Sequence, residues 1–309
     1  MTNLYESLKN FTDYIDEARH MGIKLDVSGV QNIIVSGMGG SAISGNILRD
    51  YLKSKIDIPI NVNRNYDLPE FADENTLLFL ISYSGKTEET LSAFESGKDM
   101  NCKIVFITSN KDLGIENKIK VPEGLLPRAS LPYLFIPIIK TLEISGLISD
   151  QGSEIDHTID ILKEFDPERA KILADRIRGR IPIIYSSDNY SSISYRWQTE
   201  LNENSKTIAH HNIFTELNHN EIEGNFNKDF FVVVLKDEED KSSKQIEITK
   251  KLIDEKTNIK EIELVGKGKL AKLFYGIYFG DWVSYYLAEL KNVSPEKMDN
   301  INRIKKELG

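Results

Sequence analysis

The chain has 309 residues, of which 40% are hydrophobic and 28% are charged, and its formal net charge is −9. This length allows a large buried core and two domains of ordinary size, whereas the negative charge argues against broad binding to nucleic acid. The longest apolar runs, such as residues 131–139, are shorter than the roughly 20 residues of a membrane span, and residues 1–20 are too polar for a signal peptide, so we expect a cytoplasmic protein.

The first half of the chain predicts an alternation of strands and helices. Apolar residues at helical spacing predict an amphipathic helix over residues 3–20. Strands are then expected at residues 33–35, 58–62, 77–81 and 103–110. Glycine and serine follow two of these strands, in SGMGGSAISG at 36–45 and SYSGKT at 82–87. We therefore expect a parallel sheet with helices on both faces, which would bind a ligand beyond the carboxyl ends of its strands.

The pattern repeats after a polar run, SDQGSEID, at residues 149–156. Residues 128–146 predict a helix broken or kinked by Pro132 and Pro137. A helix over residues 159–178 precedes strands expected at 181–187, 230–235 and 259–266. The similar spacing predicts a duplication. We expect an N-terminal helix plus a first domain at 1–152, and a second domain plus a C-terminal helix at 153–309.

Residues 77–90, LLFLISYSGKTEET, combine a buried strand, a hydroxyl-rich turn and the start of a helix. Ser84 or Thr87 can cap that helix, and Gly85 permits a tight bend. Free N–H groups and hydroxyls at such a turn fit a phosphate monoester, and the alternative is an ordinary helix cap. No equivalent motif follows the strand at 230–235, so we expect phosphate binding in the first half only.

Two side chains of the second half are candidates for proton transfer. Glu203 is expected near the C-terminal end of a helix over residues 190–206, where the helix dipole should raise its pKa toward that of a general base. The alternative is a solvated surface glutamate. His219 lies in ELNHNEIEG at 216–224, a run without clear periodicity, where a functional loop and a purely structural histidine are both possible.

We expect neither a metal nor a nucleotide cofactor. His210 and His211 are adjacent and should point apart, and no cysteine or carboxylate completes a ligand set with His219. The glycines at 36–45 depart from the dinucleotide-binding spacing, and no acidic residue marks a ribose partner. The single cysteine, Cys102, is expected to be a small buried hydrophobic residue.

Five motifs together resemble the bifunctional phosphoglucose/phosphomannose isomerase family, which is built from two sugar isomerase (SIS) domains. They are GMGGSA at 37–42, SYSGKTEET at 82–90, RASLP at 128–132, NENSK at 202–206 and ELNHNEIEG at 216–224. The resemblance runs from about residue 30 to the C-terminus. It implies two α/β domains with doubly wound, flavodoxin-like parallel sheets. It also implies interconversion of glucose 6-phosphate and mannose 6-phosphate with fructose 6-phosphate through a cis-enediol, without cofactor or metal.

The resemblance also assigns site residues. Ser82, Ser84 and Thr87 match the phosphate clamp, Gly40 and Ser41 belong to the sugar-phosphate pocket, and Arg128 matches the residue that steadies the enediolate.

On the same basis Glu203 is the base that moves the proton between C1 and C2. His219 assists ring opening, reaching in from the second subunit of a homodimer, and Lys305 matches a lysine that faces the sugar. Lys86 stands where the family has asparagine. Glu296 replaces a threonine linked to room for the mannose epimer.

Other functions remain open at this point. A non-catalytic SIS module that senses a sugar phosphate would need the phosphate clamp but no base. An SIS isomerase for an amino-sugar or heptose phosphate, or a plain phosphoglucose isomerase, would differ only in substrate. In each case the partner is a small sugar phosphate, not a nucleic acid or a membrane.

Overall fold

The structure is a computed structural model that describes residues 2–308, so residues 1 and 309, the outer ends of the two predicted domains, lie outside the described residues. The strands are β1 (Asn32–Gly37), β2 (Ile60–Asn63), β3 (Thr76–Ile81), β4 (Lys103–Thr108), β5 (Lys118–Lys120), β6 (Ile181–Ser186), β7 (His210–Ile213), β8 (Phe230–Lys236) and β9 (Asn258–Glu263). The α-helices are α1 (Leu4–Lys9), α2 (Phe11–Ala18), α3 (Gly40–Leu52), α4 (Glu88–Asp99), α5 (Leu131–Ile144), α6 (Gly152–Lys163), α7 (Pro167–Ile177), α8 (Ser191–Asn204), α9 (Phe214–Leu217), α10 (Ser243–Asp254), α11 (Lys269–Leu290) and α12 (Asp299–Leu308).

The chain divides into two compact units. Unit 1 contains Lys9–Glu164 and Val265–Tyr275, and unit 2 contains Asn3–Leu8, Phe165–Leu264 and the residues from Gly276 onward. The boundary at residue 152 stays a prediction, because compactness alone does not show which segments fold independently.

Unit 1 is built on a parallel sheet with strand order β2-β1-β3-β4-β5. Every residue of β3 is buried, as the apolar run predicts. The chain leaves β1 to form β2 on one side and then crosses to form β3 on the other. Strands β1 and β3 are therefore neighbours at the point where the direction of winding reverses, and their carboxyl ends frame the crevice in which such sheets bind ligands.

Unit 2 repeats the same arrangement with four parallel strands in the order β7-β6-β8-β9. Tyr185 of β6 and Val232 and Val234 of β8 pack in its core with Phe214 and Leu217 of α9. The predicted α/β fold with two doubly wound parallel sheets is therefore confirmed.

Several element boundaries differ from the sequence-based prediction for local reasons. The N-terminal helix is two helices, α1 and α2, separated at Asn10. The helix predicted over residues 159–178 is also two, because Pro167 starts α7 and the Asp166 carboxylate accepts a hydrogen bond from the Glu168 amide at 3.0 Å as its N-cap.

The helix predicted over residues 128–146 is not broken at either proline, and the predicted kink stays a prediction. Helix α5 begins at Leu131 with Pro132 in its first turn, where no amide donor is needed, and it continues through Pro137. Two short polar strands, β5 and β7, were missed because KIK and HHNI lack the apolar pattern of a buried strand. Within residues 2–308, no helix combines the length and apolarity needed to cross a membrane.

Candidate active site

The hydroxyl-rich loop predicted at residues 82–87 joins the carboxyl end of β3 to α4 in unit 1. Ser82 is buried, and its Oγ lies 2.9 Å from Thr87 Oγ1 and accepts a longer hydrogen bond, 3.4 Å, from the Thr87 amide. Ser84 is exposed, and its Oγ accepts a hydrogen bond from the Lys86 amide at 3.3 Å. The Ser82 and Thr87 hydroxyls are therefore paired with each other, whereas the Ser84 hydroxyl is exposed to solvent.

The first turn of α4 is not capped by a side chain. Thr87 occupies the N-cap position, but its hydroxyl makes no hydrogen bond to the helix and points to Ser82 instead. The ordinary-cap alternative is therefore not what the geometry shows. Amide groups at such a helix start, with the positive end of the dipole, favour an anion.

The loop is packed tightly against the end of β4. Gly85 has φ of 65°, and a Cβ at this position would lie 2.7 Å from Asn110 Cβ and 2.9 Å from Thr108 Oγ1. The Ser109 hydroxyl donates to the Tyr83 carbonyl at 2.7 Å, and the Ser109 amide donates to the same carbonyl at 2.9 Å. Only glycine meets both the backbone angle and the close approach at residue 85.

Tyr83 connects this loop to the segment that leads to Arg128. Its hydroxyl donates to the Pro122 carbonyl at 2.8 Å and accepts from the Leu125 amide at 2.9 Å. Burial raises the pKa of Tyr83, so its hydroxyl keeps the proton that it donates. Sequence reasoning missed this role, because Pro122 and Leu125 lie 39 and 42 residues away in the chain.

Arg128 lies beside the loop that follows β1. It is only 5% exposed and belongs to a short 3-10 helix, Pro127–Ser130. A Cβ at Gly40, the first residue of α3, would lie 3.3 Å from Arg128 Cα, so the glycine lets the helix start approach the arginine backbone. Ser41, the next residue of α3, is also buried, at 8% exposure.

In unit 2, Glu203 is half-buried in the last turn of α8. The same helix carries Arg196, which is buried and paired with Asp281 Oδ2 at 2.8 Å and with Glu200 Oε1 at 3.2 Å. Burial alone would lower the pKa of Arg196, but the carboxylates of Asp281 and Glu200, with a smaller contribution from Glu203, raise it. The ion pairs of Arg196 with Glu200 and Asp281 therefore form a buried charge network along α8.

The remaining predicted site residues of unit 2 lie on other elements. His219 is exposed in the turn between α9 and a short 3-10 helix, Glu221–Glu223, and Lys305 is exposed on α12. Among residues 2–308, no group of three or more His, Cys, Asp or Glu side chains is arranged to hold a metal ion.

Comparison with known proteins agrees with this geometry. Residues 27–119 match the SIS domain model, and residues 166–308 match the model of the bacterial phospho-glucose isomerase C-terminal SIS domain. A bifunctional phosphoglucose/phosphomannose isomerase from Thermoplasma acidophilum is 38% identical over 90% of this chain and 90% of its own length. The chain belongs to the bifunctional phosphoglucose/phosphomannose isomerase family.

More distant relatives of this family show how far the fold extends. A D-glucosamine-6-phosphate 4-epimerase from Sulfolobus acidocaldarius is 32% identical over 72% of each chain. The C-terminal domain of glucosamine-fructose-6-phosphate aminotransferase from Francisella tularensis superposes with a TM-score of 0.79 at 16% identity, covering 96% of this chain and 99% of that one. This last likeness is one of fold.

Two departures from the family pattern have a visible place in the structure. Glu296 accepts hydrogen bonds from the Leu4 amide at the start of α1, at 3.2 Å, and from the Ser294 hydroxyl at 2.9 Å. Lys86 is exposed beside Ser84 and lines a cavity of about 410 Å³ with Lys111 and Glu123. The Glu296 carboxylate therefore binds the amide at the start of α1, and Lys86 adds positive charge at the rim of the loop at residues 82–87.

Proposed function

We propose that this chain is an aldose–ketose isomerase that interconverts glucose 6-phosphate and mannose 6-phosphate with fructose 6-phosphate, without a metal. The observation that carries the proposal is the loop at residues 82–87, which leaves the α4 helix start uncapped at the crevice between β1 and β3. The relatives named phosphoglucose/phosphomannose isomerase support the choice of reaction.

Phosphate binding is the role of unit 1 in this proposal. The Ser84 hydroxyl, the amides at the start of α4 and the hydroxyls of Ser82 and Thr87 form the clamp, and Gly40 and Ser41 belong to the sugar-phosphate pocket. A phosphate held at this loop is remote from the reacting carbons. Its binding energy can therefore be used to fix C1 and C2 in a reactive orientation.

The proposed chemistry needs one base and one cation. Glucose 6-phosphate and mannose 6-phosphate differ only at C2, so removing the C2 proton from either gives the same cis-enediol, which is protonated at C1 to give fructose 6-phosphate. Glu203 is the base that carries the proton. Arg128 supplies fixed positive charge for the enediolate oxygens, and its burial strengthens that interaction relative to water.

Ring opening and subunit arrangement complete the proposal. His219, exposed on its turn, assists opening of the sugar ring in the active site of a second subunit, and Lys305 faces the sugar. The protein is then a cytoplasmic homodimer in which each active site needs both chains. The epimerase among the relatives favours a second candidate, an enzyme that acts on an amino-sugar phosphate such as glucosamine 6-phosphate.

One assay tests the reaction and its base. We expect the purified chain to turn over both 6-phosphates with a chelator present, and Glu203→Gln to lower kcat by at least about 100-fold while substrate affinity stays near that of the wild type. Glu255→Gln is the matched control, because Glu255 is an exposed carboxylate at the C-terminal end of α10. A Glu203→Gln variant with most of its turnover would eliminate the assignment. Turnover of glucosamine 6-phosphate alone would favour the second candidate.

A further inference from the structure

The turn that carries His219 is fastened to the sheet of unit 2 by one carboxylate. Glu221 Oε1 accepts a hydrogen bond from the Tyr185 hydroxyl at 2.5 Å, and Glu221 Oε2 accepts one from Asn212 Nδ2 at 2.7 Å. Tyr185 and Asn212 lie side by side near the carboxyl ends of β6 and β7. A single side chain thus joins the turn to two neighbouring strands.

Both partners of Glu221 are held in a fixed orientation. Tyr185 is fully buried in the hydrophobic core, and burial together with the Glu221 hydrogen bond raises its pKa, so the phenol remains a donor. Asn212 Oδ1 accepts from the Ile213 amide at 2.8 Å, which fixes its Nδ2 as the atom that faces Glu221. Two fixed donors therefore meet one carboxylate.

The two residues that flank His219, Asn218 and Asn220, also make side-chain hydrogen bonds. Asn218 Oδ1 accepts a hydrogen bond at 2.8 Å from the hydroxyl of Thr249, a buried residue of α10. The Asn220 side chain donates to Glu216 Oε1 at 2.6 Å and accepts from the Glu221 amide. Among residues 2–308, no hydrogen-bond partner of the His219 imidazole is seen, and His219 is exposed between Asn218 and Asn220. In the run NHNE at residues 218–221, the side chains of Asn218, Asn220 and Glu221 make hydrogen bonds that stabilise the turn, and the His219 side chain is exposed.

We propose that Glu221 is the positioning residue for His219: it holds the turn at a fixed place on the edge of the unit 2 sheet. This inference rests on the proposed function for the catalytic role of His219. The hydrogen bonds of Glu221 to Tyr185 and Asn212 do not depend on that role. A carboxylate is required because glutamine would turn an amide donor toward one of the two donors, and that contact would be lost. Small displacements of a catalytic group have large kinetic effects.

A double-mutant cycle tests the positioning role. We expect Glu221→Gln to lower kcat about 10-fold or more with KM changed less than about 2-fold, and to have no further effect in a protein that already carries His219→Ala. An equal loss in both backgrounds would overturn the inference, because Glu221 would then act independently of His219. Unchanged kcat in Glu221→Gln, with His219→Ala impaired, would overturn it too and leave the proposed function intact.

Amide hydrogen exchange gives a readout that does not depend on activity. We expect the amides of residues 218–224 to exchange at least about 10-fold faster in Glu221→Gln, whereas Glu223→Gln, which changes an exposed glutamate of the same turn, leaves both exchange and kcat unchanged. If Glu221→Gln does not fold, Tyr185→Phe removes one of the two ties and should give a smaller increase. Unchanged exchange in the folded variant would refute the fastening. Wild-type activity of His219→Ala with faster exchange would refute only the catalytic role of His219.

Discussion

At the scale of single residues, the serine and threonine hydroxyls of the proposed phosphate loop, residues 82–87, differ in exposure and in hydrogen bonding. Ser82 is buried, and its oxygen is paired with the hydroxyl of Thr87. Ser84 is the exposed one, and its bond to the Lys86 amide is long, at 3.3 Å. A ligand can therefore replace the hydrogen bond between Ser84 and the Lys86 amide with little loss of loop stability. Changing Ser82, by contrast, would also disturb Thr87 at the start of α4.

We expect Ser84→Ala to raise KM for glucose 6-phosphate by roughly 10-fold with kcat within about 2-fold of wild type, because one hydrogen bond to a charged group contributes about 1.5 kcal/mol or more to binding. Steady-state kinetics of the purified variant measures this. Ser54→Ala, which changes an exposed serine of the same unit, should change neither constant. An unchanged KM in Ser84→Ala would move the phosphate away from this loop.

At the scale of elements, the site of unit 1 depends on the fit between a loop and the next strand. The β3–α4 loop touches the end of β4 through Gly85, and its backbone is held by Ser109 through the Tyr83 carbonyl. The loop is therefore held in place before any ligand arrives. Rigid support of this kind is what a binding group on a loop needs for orientation.

Gly85→Ala should break this fit. Alanine is disfavoured at the positive φ of residue 85, and its Cβ would collide with the Asn110 and Thr108 side chains. We therefore expect the unfolding free energy to fall by about 1 to 3 kcal/mol and the Tm to fall by at least about 2 °C. Binding of inorganic phosphate should also become weaker. Scanning calorimetry measures the unfolding free energy and the Tm, and titration calorimetry measures phosphate binding. Gly114→Ala is the control, because a Cβ at Gly114 meets nothing within 4 Å. Equal behaviour of the two variants would contradict the proposed fit.

At the scale of the whole molecule, the proposed homodimer makes a genetic prediction. In a symmetric dimer that shares His219 across its interface, a Glu203→Gln chain paired with a His219→Ala chain has one complete active site and one site that lacks both groups. Co-expression of the two inactive variants should therefore restore roughly a quarter of wild-type activity, since about half of the dimers are mixed and each has one working site.

The matched control is co-expression of Glu203→Gln with Glu203→Ala, which cannot complete a site in any arrangement. We expect no recovery there. If Glu203→Gln with His219→Ala also shows none, although mixed dimers are present by mass spectrometry, then Glu203 and His219 do not combine from two chains into one active site.

The sequence by itself determined the parts of this protein that depend on neighbours along the chain. Apolar runs of four to seven residues specify buried strands, and both sheets are parallel, as the alternation of strands and helices predicts. The loop at residues 82–87 was predictable because its strand, turn and helix are contiguous. Pro167 and its cap Asp166 were also local signals, so the split between α6 and α7 could have been predicted.

Only the tertiary structure decided which distant residues support these turns. Tyr83 bonds to Pro122 and Leu125, Gly40 approaches Arg128, and Glu221 bonds to Tyr185, which lies 36 residues earlier in the chain. The strands β5 and β7 are recognisable only from their pairing, since their polar residues carry no apolar pattern. Such contacts form when folding closes long loops between segments, and no local spacing in a single sequence specifies which segments will meet.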